Sequence, residues 1–490
     1  MTTRRGSAQK EDQESTDVLF SAEQHGIDVI GGGERKGQPL ELFWMWAGTN
    51  LNVYYIVNGA ILISLGLSFV QAILAIAIGS LSFFLLGLTS LQGPDTGTAT
   101  FAVSKAAYGP NGGSGLSVFN WLTCIGFESS GIALIVLAGL ALLAKAGVGS
   151  STGLKVALIL VAAAAVMAIP LYGHATVVIL QRWIAWLAVP LFIVMAILVA
   201  PKVHLGALSK GGSWETLMIG IALVITGGGL SWANCGSDYS RYLPAASSKR
   251  AIFWYSSFGG LLPSFLLAVL GAAIATVIKD GSDPIAGLPK ALPAGVLVPY
   301  LVFVIIATVF GNGVLLYSSG LTLQAIGLRI RRWQCVLIDG IVCTVITFFV
   351  VFSSSFNRYY SDFLGLLGLW LAPWIAIYAV DWLLRRGVYD PQSLLASRGG
   401  RYWHDGGFHL PGVIAQVVGM VAAALWLNSA AFVGPLSSRS HGSDFSVFMG
   451  IVVAGVVYWL LARRTVPTEG QYPRREAANS GKVDPLASTV

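Results

Sequence analysis

The sequence predicts an all-α polytopic membrane protein, and three observations support this fold class. Hydrophobic residues make up 55% of the 490-residue chain, whereas charged residues make up only 11%. Apolar stretches of about 20 residues, the length that a helix needs to cross a bilayer, recur from one end to the other. Both ends of the chain are polar and short, so no separate soluble domain is expected.

Stretches with few charges predict twelve transmembrane helices within one membrane domain, residues 41–464. Residues 1–40 and 465–490 are predicted to be tails, and the first of these contains no apolar signal-peptide core. The four cysteines fall within or beside the spans, which favours free thiols over disulfides. The spans are predicted near 42–66, 69–91, 115–143, 156–171, 176–200, 215–240, 254–278, 295–325, 333–353, 361–384, 410–433 and 444–462.

The placement of positive charge predicts that both tails are cytoplasmic. With this orientation, most Lys and Arg residues lie in cytoplasmic loops and tails, as the positive-inside rule requires. The net charge of +7 is then explained by clusters at helix ends, which suit anionic lipid head groups. The expected location is the cell membrane, with lipid as the contact and with no nucleic-acid partner.

Four acidic residues inside predicted spans attract attention, because a buried charge is costly unless it has a partner or faces water. For one of them, Asp339, we expect a buried structural hydrogen-bonding role. Glu128 lies near the middle of the third span without a basic neighbour in sequence, so we expect it to exchange a proton. Asp238 and Arg241 lie one turn apart in the sixth span and can pair, either as part of a cytoplasmic gate or as a structural pair at the helix end. Asp381 is expected to pair with Arg385 at the membrane interface.

Two predicted spans contain residues that interrupt helices. The first includes "FWMWAGTNLNVYYIVNG" from Phe43, and the sixth includes "LVITGGGLSWANCGSDYSRY" from Leu223. Interrupted spans at corresponding positions of two halves are typical of transporters built from inverted repeats, with the binding site at the breaks. The alternative is that the glycines only allow close helix packing.

Five segments carry a family resemblance, in order along the chain: "WMWAGTNLNV" (44–53), "GPDTGTATFAVSKAAYGPNGG" (93–113), "SWANCGSDYSRYLP" (231–244), "GNGVLLYSSGLTLQAIG" (311–327) and "FLGLLGLWLAPWIAIYAVDWLLRRGVYD" (363–390). Together they resemble the nucleobase:cation symporter-1 family, in its purine and cytosine permease branch. The resemblance implies a LeuT-type fold with alternating access. Its inverted repeats would be residues 42–200 and 215–384, followed by two extra helices in 410–462.

The resemblance also implies a substrate site in which two aromatic rings stack on a planar ring. Trp232 matches one of the family's two tryptophans, and Phe127 of "CIGFESSG" stands at the position of the other. A phenylalanine can still stack on a heterocycle. The family's amide side chain in this span is replaced by Gly131, and three neighbours are expected to take over its hydrogen bonds: Glu128, Ser129 and Ser130.

Two further amides are implied as substrate ligands by the same resemblance. Asn312 corresponds to a polar residue of the eighth span that faces the site, and Asn50 corresponds to an Asn in the unwound part of the first span. Each could instead cap an unwound helix end without contacting substrate.

The resemblance places a possible sodium site between backbone carbonyls of the first span, around Ala47 and Asn50, and the segment "IIATVFGN" at 305–312. The corresponding positions there are Phe310 and Gly311, and Thr308 is the nearby hydroxyl. A hard cation prefers more oxygen ligands than this segment offers. We therefore expect proton coupling through Glu128, with sodium as the alternative and no other cofactor or metal.

The expected function is import of a nucleobase or a related planar heterocycle, such as cytosine, a purine or an allantoin-like compound, by cation symport. The alternative is a sodium-coupled carrier of another small solute, such as an amino acid or a hydantoin. A channel is disfavoured because the polar residues do not follow one path. An enzyme is disfavoured because the histidines lack HExxH or similar spacing. No obligate protein partner is implied.

Overall fold

The computed structural model describes residues 26–169, 174–203, 211–278, 285, 292–328, 330–352 and 356–466. These residues are almost entirely helical, and one isolated bridge joins Asn428 to Val433. The predicted tails lie outside the described residues except for 26–40 and 465–466. Residues 26–37 lie against the helices, so this part of the predicted tail contributes to the fold.

Nineteen α-helices are formed by the described residues. They are α1 (Pro39–Asn50), α2 (Val53–Ser64), α3 (Phe69–Ser80), α4 (Phe83–Thr89), α5 (Gln92–Thr96), α6 (Thr100–Lys145), α7 (Thr152–Ala168), α8 (His174–Val199), α9 (Trp214–Thr226), α10 (Gly229–Trp232), α11 (Gly236–Ser240), α12 (Lys249–Val277), α13 (Ala294–Ile326), α14 (Arg332–Phe352), α15 (Phe356–Arg385), α16 (Pro391–Leu395), α17 (Leu410–Trp426), α18 (Pro435–Arg439) and α19 (Ser446–Ala462).

The described helices have the length and composition of membrane spans. Within the described ranges, nine helical stretches are long and apolar enough to cross a membrane. Three shorter apolar helices accompany them, namely α2, α7 and α19. The all-helical fold class predicted from the sequence is therefore confirmed.

The predicted boundaries differ from the structure where a helix begins before its apolar stretch. The third span was expected at 115–143, but α6 begins at Thr100 and bends at Gly109, which has φ 76°. Pro110 follows the bend, and its ring cannot follow a residue in ordinary helical geometry without strain. The eleventh span was expected to reach residue 433, whereas α17 ends at Trp426 and is followed by a loop.

Two long helices form the frame on which the interrupted spans pack. Helix α6 packs along α13, and α14 packs against both of them. Helices α1 and α2 pack on α12, while α9 packs on α3 and α10 on α4. Helices α15, α17 and α19 pack together at one side. The breaks in the first and sixth spans meet beside α6 and α13, because residues of both breaks and of both long helices line one cavity.

Candidate functional site

The first predicted span is broken at Leu51 and Asn52, within the segment that the sequence identified. Helix α1 ends when the Leu51 N–H donates to the carbonyl oxygen of Ala47, at 2.9 Å. The Asn52 side chain then accepts a hydrogen bond from the Tyr54 N–H, at 3.3 Å, and caps α2. Gly48 and Asn50 remain helical, so the break lies later than the glycine.

The sixth predicted span is broken at its glycine triplet. Gly228 has φ −120° and ψ −124°, outside helical geometry. The Gly229 N–H donates to the Ser82 hydroxyl at 3.0 Å, and a Cβ at Gly229 would collide with the backbone of Ser82 and Phe83. The triplet thus allows both the break and the close approach of α4, and the predicted interruption is confirmed.

A narrow cavity, in which about 30 Å³ is open to the centre of a water-sized sphere, lies between the two breaks. Phe127 and Trp232 both line it, as the sequence predicts for the two stacking rings. The Trp232 indole N–H donates to the Tyr55 hydroxyl at 3.0 Å, which fixes the orientation of the indole. The full lining is Thr49, Asn52, Tyr54, Tyr55, Cys124, Phe127, Gly227, Ser231, Trp232, Asn234, Gly311, Asn312, Leu315 and Tyr360.

Aromatic side chains close the cavity between α2, α6 and α15. The Tyr54 hydroxyl donates to the carbonyl oxygen of Phe127 at 2.7 Å, and the Tyr54 ring stacks on Tyr360 with 5.6 Å between centroids. Phe127 meets Phe363 edge to face at 5.0 Å. These contacts hold the aromatic wall of the cavity together.

Two amides in the cavity have an orientation that backbone partners determine. The Asn312 Nδ2 donates to the carbonyl oxygen of Glu128 at 3.1 Å, which leaves the Oδ1 of the same amide as an acceptor for another group. The Asn52 Oδ1 accepts from the Tyr54 N–H, which leaves the Nδ2 of the same amide as a donor for another group. Among the described residues, neither of these remaining ends has a hydrogen-bond partner. The cavity therefore offers one amide donor and one amide acceptor to a ligand.

The structure explains why position 131 holds a glycine. A Cβ at this position would collide with the amide of Asn312, so the space of the missing side chain is filled from α13. The hydroxyl of Ser130 donates to the carbonyl oxygen of Gly126 at 2.7 Å, and that of Ser129 donates to Ile125 at 2.5 Å. Neither serine lines the cavity.

Asn50 lies beside the cavity and does not line it. Its Nδ2 donates to the carbonyl oxygen of Trp46 at 2.8 Å, and its Oδ1 accepts from the Tyr55 hydroxyl. Asn50 therefore positions Tyr55, which in turn holds Trp232. In the first span, Thr49 and Asn52 line the cavity instead.

Glu128 is buried on the side of α6 that faces α14. Its Oε2 accepts from the thiol of Cys343 at 3.1 Å, and Oε1 has no hydrogen-bond partner among the described residues. Glu128 is fully buried and does not line the cavity. The carboxyl group is thus separated from the cavity, although Cys124, one turn earlier on α6, does line it.

Two carbonyl oxygens of the possible sodium site already accept hydrogen bonds from protein groups. The carbonyl oxygen of Ala47 accepts from Leu51 at 2.9 Å, and that of Phe310 accepts from the Gln181 side-chain amide at 3.0 Å. The Thr308 hydroxyl is buried without a partner among the described residues. Gly311 lines the cavity.

Asp238 and Arg241 do not contact each other directly: among the described residues, each side chain binds other groups. Asp238 accepts from the N–H and the hydroxyl of Thr100, at 2.9 and 3.0 Å, and so joins α11 to the start of α6. Arg241 donates to the carbonyl oxygen of Gly26 at 2.7 Å and to the Tyr317 hydroxyl at 3.0 Å. Asp238 thus binds the N-terminal end of α6, and Arg241 binds a carbonyl oxygen that is distant in sequence.

The expected Asp381–Arg385 pair is formed, and both side chains are buried inside the protein. The two groups are 2.9 Å apart, with side-chain exposures of 3% and 1%. Tyr389 and Tyr458 donate to the carboxylate at 3.1 and 2.7 Å. Arg385 also donates to the carbonyl oxygen of Ala106 at 3.0 Å, so the pair ties α15 to the first part of α6.

Several cavity residues carried no signal in the sequence. Tyr54, Tyr55 and Tyr360 are ordinary aromatic residues in apolar stretches, and only the fold directs them to the cavity. Asn234 follows Trp232 closely, and its position in the broken span was the only available hint.

The chain matches the family model for permeases for cytosine/purines, uracil, thiamine and allantoin over residues 30–453. YxlA of Bacillus subtilis (strain 168), assigned to the purine-cytosine permeases, is 24% identical over 93% of this chain and 99% of its own length. The purine-cytosine permease fcyB of Emericella nidulans is 26% identical over 90% of this chain and 88% of its own length.

The fold is similar to that of a solved transporter, Mhp1 of the nucleobase-cation-symport-1 family, in a closed conformation with bromovinylhydantoin bound. That structure gives a TM-score of 0.72 at 17% identity, covering 90% of this chain and 95% of its own. An inward-facing structure of Mhp1 gives 0.70 at 15% identity, covering 93% and 96%. The resemblance found in the sequence is therefore confirmed: this multi-pass membrane protein belongs to the family of permeases for cytosine/purines, uracil, thiamine and allantoin.

Proposed function

We propose that this protein imports a nucleobase or a related planar heterocycle by cation symport and alternating access, and that it carries out no enzymatic step. The observation that carries the proposal is the cavity at the two helix breaks, which Phe127 and Trp232 both line. Two aromatic rings and a few oriented amides suit a small planar ring with polar edges. The family match and the relatives named as purine-cytosine permeases agree with this substrate class.

The proposed architecture is twelve spans in the cell membrane, with a five-plus-five inverted repeat and both termini cytoplasmic. Packing of the broken spans supports the repeat. The second half of span one, α2, packs on span seven at Gly59 and Gly271, where an added Cβ would collide with the facing backbone. The second half of span six packs on span two in the same way at Gly229, where an added Cβ would collide with the backbone of Ser82 and Phe83. The helix pairs one–seven and six–two thus correspond, as a repeat requires.

The proposed substrate lies between Phe127 and Trp232 and is recognised along one edge by Asn52 and Asn312. The free ends of these amides are a donor and an acceptor, respectively. A heterocycle edge with one carbonyl or ring-nitrogen acceptor and one N–H donor would satisfy both. Leaving either buried amide unpaired in a closed cavity would cost about 1–3 kcal/mol, so an edge with matching groups is strongly preferred.

We further propose that protons drive transport and that Glu128 is the coupling residue. An ionised carboxylate at this depth needs a cation or water, and Glu128 has only the Cys343 thiol as a side-chain partner among the described residues. Binding and release of a proton would then be linked to a change in hydration during the transport cycle. The sodium alternative would require Gln181 to release the carbonyl oxygen of Phe310.

Uptake in cells that express this protein tests the substrate class. Radiolabelled cytosine, adenine, hypoxanthine, uracil, allantoin and a hydantoin should be compared with an amino-acid panel. Saturable accumulation of at least one heterocycle is expected. Accumulation of an amino acid, with none of any heterocycle, would overturn the proposal and favour the alternative carrier.

The coupling ion requires a separate measurement on the transported heterocycle. Accumulation should collapse with a protonophore and should persist without sodium. Glu128→Gln keeps the size of the side chain but cannot release a proton, so it should still exchange substrate across the membrane and should fail to concentrate it. Glu215→Gln, at the start of α9, is the matched control and should accumulate normally. Sodium-dependent accumulation that ignores the protonophore would exclude this mechanism.

A further inference from the structure

A chain of buried amides lies directly beneath the substrate cavity and connects the broken sixth span to the frame. Asn234, which lines the cavity, donates from Nδ2 to the Asn120 Oδ1 at 2.6 Å. The Asn120 Nδ2 donates in turn to the Thr322 hydroxyl at 2.9 Å. Asn120 and Thr322 belong to α6 and α13 and do not line the cavity. The chain therefore joins the cavity wall to both frame helices.

The three residues lie on one side of the substrate site. Asn120 precedes Phe127 on α6, Thr322 follows Asn312 on α13, and Asn234 follows Gly227 in span six. In the orientation proposed above, each of these directions points towards the cytoplasm. Further contacts of span six lie in the same direction, including the Tyr239 hydroxyl, which donates to the carbonyl oxygen of Val314 at 2.7 Å. The amide chain is the first layer because Asn234 itself lines the cavity.

The buried amides of this layer are stable in two states, either hydrogen-bonded to each other or hydrated. Asn234 and Asn120 are 2% and 1% exposed, so a separated pair kept away from water would leave polar groups unsatisfied. The Asn234 Oδ1 is also engaged, since it accepts from the Cys235 thiol at 2.8 Å. The amides are satisfied when paired, and they are satisfied again when water reaches them. The intermediate, dry and unpaired, is the costly one.

We propose that the Asn234–Asn120–Thr322 chain is the cytoplasmic gate of the substrate cavity. It holds the inner part of span six against α6 and α13 while the cavity is closed, and it is hydrated when span six moves away. This proposal rests on the alternating-access function proposed above. It replaces the predicted Asp238–Arg241 pair, whose members bind elsewhere, as the contact next to the substrate.

The test measures access of a membrane-impermeant thiol reagent to Cys124, which lines the cavity. The background carries Cys235→Ser, Cys335→Ala and Cys343→Ser, so that Cys124 is the only thiol and serine hydroxyls can replace the thiol donors to Asn234 and Glu128. Labelling rates are compared in inside-out vesicles and in intact cells, and no substrate is needed. Loss of one net hydrogen bond changes a two-state equilibrium by roughly 2- to 10-fold. Asn120→Ala should raise the rate from the cytoplasmic side by this factor and lower the rate from outside.

Thr322→Val, which removes the hydroxyl acceptor and keeps the side-chain shape, should act in the same direction with a smaller change. Ser117→Ala is the matched control, because among the described residues the Ser117 hydroxyl bonds only within its own helix, to the carbonyl oxygen of Gly113 at 2.9 Å. It should leave both rates unchanged. If Asn120→Ala does not reach the membrane, Thr322→Val alone decides.

An unchanged labelling rate from the cytoplasmic side in Asn120→Ala, or in Thr322→Val if Asn120→Ala does not reach the membrane, would overturn the gate proposal. A rise from both sides together would also overturn it, because that result indicates general loosening of the fold. Failure of the proposed transport function is a distinct result: it appears as absent uptake of every heterocycle, whereas the labelling rates report the gate independently.

Discussion

Replacing Trp232 by alanine should weaken substrate binding more than any other single change in the cavity wall. The indole ring lines the cavity and is fixed by its hydrogen bond to Tyr55 at 3.0 Å. Stacking of a base on an aromatic side chain is worth about 1–3 kcal/mol. This corresponds to a rise in the dissociation constant of about 5- to 150-fold. Transport at low substrate concentration should fall by a similar factor, while membrane expression should be maintained.

Trp232→Phe separates stacking from the hydrogen bond, because phenylalanine keeps a ring face and loses the indole N–H. We expect this variant to retain most of the affinity that the alanine variant loses. Equilibrium binding of labelled substrate to purified protein, with expression measured in parallel, provides both values. Trp186→Ala is the matched control, since Trp186 is 58% exposed on α8 and stacks on Trp44 away from the cavity. Normal affinity in Trp232→Ala would refute the stacking site.

Three further predictions follow from the packing. Reversing the charges of Asp238 and Arg241 together should not rescue uptake relative to either single reversal, because the two side chains bind different partners; clear rescue would show a pair in another state. Asp381→Asn should lower stability in a detergent melting assay by about 3–5 kcal/mol, because it leaves the Arg385 charge buried, whereas Asp362→Asn on the same helix should not. Gly229→Ala should abolish folded yield or transport, while Gly115→Ala, in open space, should be tolerated; equal yields and uptake would contradict the collision.

The sequence by itself determined the membrane class, the two interrupted spans and the family. These features are local, since apolar length, glycine triplets and linear motifs can be recognised without knowing which helices are neighbours. Trp232 and Phe127, which the family motifs single out, line one cavity in the structure, and their contact with substrate stays a prediction.

Only the tertiary structure decided which polar groups face the cavity and which hold its walls. Asn50 and Asn52 stand two residues apart in one break, yet one positions Tyr55 and the other lines the cavity. Asp238 and Arg241 have ideal spacing for a pair, but Thr100 and Gly26, distant in sequence, compete successfully for them. Gly131 makes sense only once Asn312 is seen in its space. The direction of a side chain depends on helix rotation and on partners far along the chain, and local sequence does not specify either.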